Sequence, residues 1–224
     1  MPKELFNEAK KLYGYQIMTF HKMHRNEKWE NCEIEETPVE SSYDLDDRSM
    51  VITSTCPIIL IDDLNKQIET AESIDIVVSF IMCTGLNLLI DSLIDFTRHG
   101  KLRVITTTYM GYTEYEALEQ LIRLPNTTVK IEINSHEHRL HAKAFLFNRS
   151  DGTSVAYVGS ANISKSALTT GEEWEVKIRE QDFDKPIKDV RDSFESLWNS
   201  PQFITMSTEN RALVEMSISR NKKG

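Results

Sequence analysis

The chain has 224 residues, a formal charge of -9 at pH 7 and 40% hydrophobic residues, enough apolar material to fill the core of one large domain. No apolar run is long enough to span a bilayer, and the opening Met1-Pro2-Lys3-Glu4-Leu5-Phe6 lacks the basic-then-apolar layout of a secretory signal, so a cytoplasmic protein with no membrane partner is expected. Cys32, Cys56 and Cys83 are widely spaced and fit reduced thiols better than a disulfide framework or a zinc site.

The first stretch differs from the rest. An apolar-periodic segment at 5–18 predicts a helix. Between Glu27 and Asp47, nine acids face the single base Lys28, which reads as an extended acidic arm. Almost all the net negative charge lies in that arm, so the body is near neutral and compatible with a phosphate backbone. His21 and His24 with Cys32 could be written as a metal cluster, but a polar face is the simpler reading, and no metal or cofactor is expected.

From Pro57 onward, helix and strand alternate. The apolar periods predict a helix over 58–72, a buried strand over 75–82 and an amphipathic helix over 85–98 that stops at Gly100. They continue with a strand at 102–107, a helix at 114–124 and a strand at 128–133. Strands at 140–147 and 154–158 follow, then a short helix after Asn162, a strand at 174–179 and a helix at 187–198. The resulting expectation is an α/β fold with a mixed, mainly parallel sheet sandwiched between helices. Three regions are expected: an N-terminal appendage with the acidic arm (1–56), a catalytic domain (57–200) and a C-terminal tail (201–224).

The chemistry concentrates in the two strands at 140–147 and 154–158. On a strand at 140–147, His141, Lys143, Phe145 and Phe147 share one face. The next strand ends in a Gly159-Ser160 turn that delivers Asn162 beside them. An imidazole, a fixed cation, a hydroxyl and an amide at one place suit a phosphodiester: a neutral histidine can attack phosphorus while cations and donors hold the phosphoryl oxygens. The other imidazole nitrogen then needs an acceptor. Glu173 is the first candidate, Glu175 the second and Glu172 the third; Glu173 and Glu175 share a strand face. Arg139 and Glu175 are also candidates for contacting substrate. His99-Gly100-Lys101 repeats the His-x-Lys spacing, but it straddles a helix end and a strand start, where basic residues answer the helix dipole. His136 and His138 read as loop residues near the groove.

The residues His141, Lys143, Gly159, Ser160 and Asn162 resemble the H-x-K and G-S-x-N signature of the phospholipase D superfamily. The wider stretch, about 58–200, resembles the phospholipase-D-like domain at the N-terminus of some bacterial helicases and in metal-independent restriction endonucleases. It is carried by Ile74 to Phe80, Gly159 to Gly171, and Glu173-Trp174; the family habit of a Glu before Trp favours Glu173. The longer family motif has Asp where this chain has Asn148. The resemblance implies a phospholipase-D-like fold and a metal-independent phosphodiesterase acting on nucleic acid, DNA ahead of RNA, through a phosphohistidine. Full family sites use two motif copies and this chain has one, so a homodimer sharing one cleft is the economical expectation. The alternative is a phospholipase-D-like module with weak turnover that holds DNA for a helicase, an ATPase or a defence complex.

Overall fold

The structure, a computed structural model, describes residues 48–133 and 139–222. The expected helix at 5–18, the acidic arm, and His136 and His138 lie outside the described residues. The elements are β1 (Met50–Ile52), α1 (Leu60–Thr70), β2 (Ser73–Val77), α2 (Cys83–Leu86), α3 (Ile90–Phe96), β3 (Lys101–Thr107), α4 (Tyr115–Ile122), β4 (Thr127–Glu132), β5 (Ala144–Asn148), β6 (Val155–Gly159), α5 (Lys165–Thr169), β7 (Glu175–Arg179), α6 (Asp184–Trp198), β8 (Phe203–Thr205) and α7 (Arg211–Asn221). Among them no helix is long and apolar enough to cross a membrane.

The strands form one eight-stranded sheet in the order β1-β7-β6-β5-β2-β3-β4-β8. Alternation along each strand sorts side chains to two cores. Phe145 and Phe147 of β5, Ile74 and Ile76 of β2, and Leu102 and Val104 of β3 join the larger core, beneath α1 to α5 and α7. Leu146, Val77 and Ile105 point the other way, toward α6. The expected mixed sheet between helices is present, but its directions differ from the mainly parallel expectation. Only β2–β3 and β3–β4 are parallel. The other five pairings are antiparallel. The link from β5 to β6 is too short for a crossover, so it returns as a hairpin.

Other departures have local causes. The helix expected over 85–98 splits into α2 and α3, and the backbone between them bonds over three residues, Leu88 to Gly85 and Leu89 to Leu86. The tighter turn lets Leu86, Leu89 and Leu93 all face the core. Gly85 lies against backbone of the Asn162 segment; a Cβ there would sit 2.4 Å from the Ser164 nitrogen. Residues 201–224, expected as a tail, supply β8, which extends the sheet beyond β4, and α7, which packs under the turn after β3. Met50–Ile52, expected in the appendage, forms the opposite sheet edge.

Two polar assemblies brace the sheet. Beneath β6 and β7, the Lys177 ammonium lies 2.9 Å from Asp63, to which Tyr157 also donates at 2.7 Å, all of it buried. Under α6, Arg103 forks onto Asp75 at 2.6 and 2.8 Å and reaches Glu195 at 2.7 Å. Asn148 belongs to this second group: its amide donates to Asp75 and accepts from Arg191, each at 3.1 Å. A carboxylate at 148 would face Asp75 with like charge, whereas the amide bridges acid and base. Asn148 is also at the far end of β5 from His141 and Lys143, so it bears on anchoring α6 rather than on the reacting groups.

Removing one member of the buried ion pair leaves the other charge stranded. Lys177→Met is expected to destabilise the fold by about 3–5 kcal/mol, seen as a drop in Tm on the order of 10 °C. Pairing it with Asp63→Asn should restore a large part of the loss in thermal unfolding.

Candidate active site

Every expected site residue that is described lies at one end of the sheet. There the parallel strands β2, β3 and β4 finish, β6 finishes, and β5 and β7 begin, the end at which α/β sheets hold ligands. The segment 141–143 was expected inside a strand; the ladder of β5 starts only at Ala144. Those three residues lie just ahead of it, and the Lys143 carbonyl still accepts from Gly159 N–H at 3.3 Å.

Lys143 points inward and is only 6% exposed. Its ammonium donates to Ser79 Oγ at 3.0 Å and to the His141 carbonyl at 2.8 Å. Burial lowers its pKa from the usual lysine value, while the negative charges of Glu173 and Glu175 pull in the opposite direction. Asn162 is also buried, and its Oδ1 accepts from the Phe80 backbone N–H at 3.1 Å. That bond fixes the carboxamide so that its NH2 is the remaining donor. Lys143 and Asn162 are therefore both tied to the end of β2. After Val77 the chain leaves the ladder and crosses toward Ile163, which delivers Ser79 and Phe80 to the site.

Around Gly159 the backbones are nearly in contact: a Cβ there would meet the Trp174 carbonyl at 2.0 Å. Only glycine fits. Ser160 is pinned to the strand beside it. Its N–H donates to the Trp174 carbonyl at 3.2 Å, and its hydroxyl accepts from the Trp174 N–H at 3.1 Å while donating to Glu173. Glu173, expected on the imidazole, is thus engaged by Ser160. Glu175 lies under the turn, 1% exposed, with Oε1 accepting from Ala161 N–H at 2.6 Å. Its Oε2 makes no hydrogen bond among the described residues. Burial pushes this carboxyl up to about 7, against the pull of the Ala161 amide.

His141 is exposed at the mouth of the site, and among the described residues its ring has no hydrogen-bond partner. It borders an open cleft of about 400 Å³ that runs between Ala144, Leu146 and Val158 of the sheet and Val190, Phe194 and Leu197 of α6. Arg139 is exposed, its guanidinium over the Tyr109 ring at 5.5 Å, on the β3 side. His99 packs edge-on to Phe96 at the opposite end of the sheet, away from these groups. Ile74 to Phe80 carries part of the family resemblance, but the sequence did not show that Ser79 and the Phe80 amide serve Lys143 and Asn162: the strand was expected to run to 82, whereas the ladder ends at Val77.

A cation, an oriented amide and an accessible imidazole at one cleft match phosphoryl-group chemistry. The family model described as "Cardiolipin synthase, PLD-like domain" matches residues 64–198, more than half of the chain. The chain belongs to the phospholipase D family. Solved structures share the family fold. NucT from Helicobacter pylori aligns with a TM-score of 0.52 at 18% identity, over 68% of this chain and 96% of that one. Nuc from Salmonella typhimurium, described as a phospholipase D family member, aligns at 0.53 and 18% identity, over 71% and 98%. The polyphosphate kinase of Porphyromonas gingivalis aligns at 0.52 and 13% identity, over 69% of this chain and 26% of its own. No curated protein matches the sequence.

The raised pKa of Glu175 has a definite sign for stability. Between the ordinary carboxyl value and about 7, the folded chain holds a proton that the unfolded chain has lost, so stability falls as pH rises through that window. Glu175→Gln, which keeps the acceptor for Ala161, removes this penalty. Relative to the parent it should gain on the order of 1–3 kcal/mol in stability between pH 5 and pH 8, measured by thermal unfolding across that range.

Proposed function

We propose that this phospholipase D family member is a metal-independent phosphodiesterase that cleaves nucleic acid, DNA ahead of RNA. The observation that carries the reading is the convergence of Lys143 and Asn162, both buried and fixed by the end of β2, beside the exposed His141. The family fold shared with the Nuc and NucT structures supports it.

His141 attacks phosphorus; the bond to one ester oxygen breaks and a phosphohistidine forms, which water then resolves. Lys143 and the Asn162 NH2 hold the phosphoryl oxygens as charge builds on them. Ser160 and Glu173 brace the turn that presents Asn162, and Glu175 supports it from below. Arg139 is placed to contact a neighbouring phosphate. The leaving oxygen needs a proton, and one motif supplies one histidine, so His141 of a second copy fills that role in a homodimer sharing the cleft. Among the described residues no group of three or more His, Cys, Asp or Glu side chains could hold a metal ion.

A second reading has one specific observation in its favour: Glu173 is engaged by Ser160, and the imidazole lacks an acceptor among the described residues. A site left in that state would grip a phosphate backbone with slow turnover, as suits a targeting module of a helicase or defence complex.

Labelled DNA and RNA incubated with excess chelator should be cut by the parent and not by His141→Ala. Because the cleft is shared, adding the inactive variant to the parent should depress activity below simple dilution. Cleavage that needs magnesium and survives His141→Ala would overturn the mechanism.

Lys143→Ala and Asn162→Ala separate the two readings. A donor acting mainly in the transition state lowers turnover by roughly a hundredfold or more, with a much smaller change in affinity for DNA. Parallel losses in rate and binding would favour the holding module.

A further inference from the structure

The two flanks of the Lys143–Asn162 site carry aromatic rings that the fold leaves in solvent. On one flank Trp174 is 69% exposed, yet its backbone is clamped to the phosphate turn on both sides, its N–H to Ser160 Oγ at 3.1 Å and its carbonyl to Ser160 N–H at 3.2 Å. On the other flank Phe80 holds Asn162 through its amide, and its ring leans on Tyr112 at 5.6 Å between centroids. Tyr112 is 52% exposed. Both rings are held on main chain that is hydrogen-bonded to the site residues, Trp174 to Ser160 and Phe80 to Asn162, and leave an aromatic face in water for a base to cover.

We propose that Trp174 and the Phe80–Tyr112 pair are stacking platforms for unpaired bases on either side of the scissile phosphate, so that the substrate is single-stranded or locally opened nucleic acid. The inference rests on the phosphodiesterase reading above. Trp174 immediately precedes β7 and Tyr112 follows β3, four places apart in the sheet. At a strand spacing of roughly 4.8 Å, the β7 and β3 strands from which these segments run stand about 19 Å apart, with the strands that carry the phosphate-binding groups between them. A base in a duplex has its faces covered by its neighbours and cannot use either ring; an unpaired base can. The separation also argues against a lipid surface, which calls for one contiguous apolar face rather than two rings divided by buried charge. The backbone clamps matter because a ring on a fixed main chain loses little freedom when a base lands on it.

The test uses the full chain and a fluorescent thymidine oligonucleotide; anisotropy for affinity is read with His141→Ala added to the parent and to each variant so that the probe stays intact, and hydrolysis is read without it. Trp174→Ala and Tyr112→Ala should each weaken binding by roughly five- to a hundredfold, and Trp174→Phe should recover most of the loss. The parent should bind the single strand more tightly than the same sequence in duplex. Hydrolysis of the small diester ethyl p-nitrophenyl phosphate should change less than twofold in both alanine variants, because it carries no flanking base; a collapse there would mean the site itself was damaged and would overturn the platform assignment. Parent-like affinity in both alanine variants, or a preference for duplex, would overturn the platforms while leaving the phosphodiesterase intact. A parent that hydrolyses the small diester, binds no oligonucleotide and sediments with phosphatidylglycerol vesicles would instead overturn the nucleic-acid reading itself.

Discussion

The organisation of the site follows from taking the Lys143 ammonium out of water. A buried lysine is costly unless its protons find acceptors and its charge finds a counterpart. Here the acceptors are the Ser79 hydroxyl and the carbonyl of His141, two residues upstream. The second bond turns the lysine side chain back onto the backbone of His141, from which the imidazole emerges. The first requires the chain after β2 to leave the ladder at that point, and the same detour presents the Phe80 amide to Asn162. Satisfying one ammonium thus ties together the backbone of His141, the end of β2 and the orientation of the carboxamide.

The other end of the sheet has a separate task. Arg103, Asp75, Glu195, Asn148 and Arg191 form a chain of charge-assisted hydrogen bonds that seats α6, with Arg103 also 4.9 Å from the centre of the Phe194 ring. The cleft wall that α6 supplies next to His141 is held from this distance. The departure of Asn148 from the longer family motif therefore has a structural account: the residue joins an acid to a base within a neighbourhood that already contains Asp75.

How far the sequence could be read depends on the range of the interactions involved. Period-two alternation correctly separated Phe145 and Phe147 from Leu146, because it reflects a local geometry that tertiary context does not alter. The spacing of His141, Lys143, Ser160 and Asn162 placed these residues at one sheet end, as the structure has them. Strand direction was not legible in the same way: β5 to β7 carry the apolar runs of buried parallel strands, yet pair antiparallel. The break between α2 and α3 was hidden as well, since it answers the packing of Gly85 against a segment about eighty residues away in the chain. Glu173 and Glu175 show the limit most clearly. Strand spacing puts both on one face but does not distinguish the carboxylate that meets Ser160 from the one sealed under Ala161.

That distinction gives the site its charge balance. If both carboxylates were ionised beside one ammonium, the pocket would carry a net negative charge and repel a phosphodiester. Glu173 is half-buried and accepts a hydrogen bond from the Ser160 hydroxyl. Glu175 is sealed from water, and the desolvation that raises its proton affinity to about 7 keeps a substantial share of the population neutral near physiological pH. The neutral form still accepts from Ala161 N–H, so the turn is held in either state. A phosphate arriving at Lys143 adds negative charge nearby and favours the protonated form further. The same burial that makes Glu175 look structural therefore leaves the lysine's charge available to a substrate.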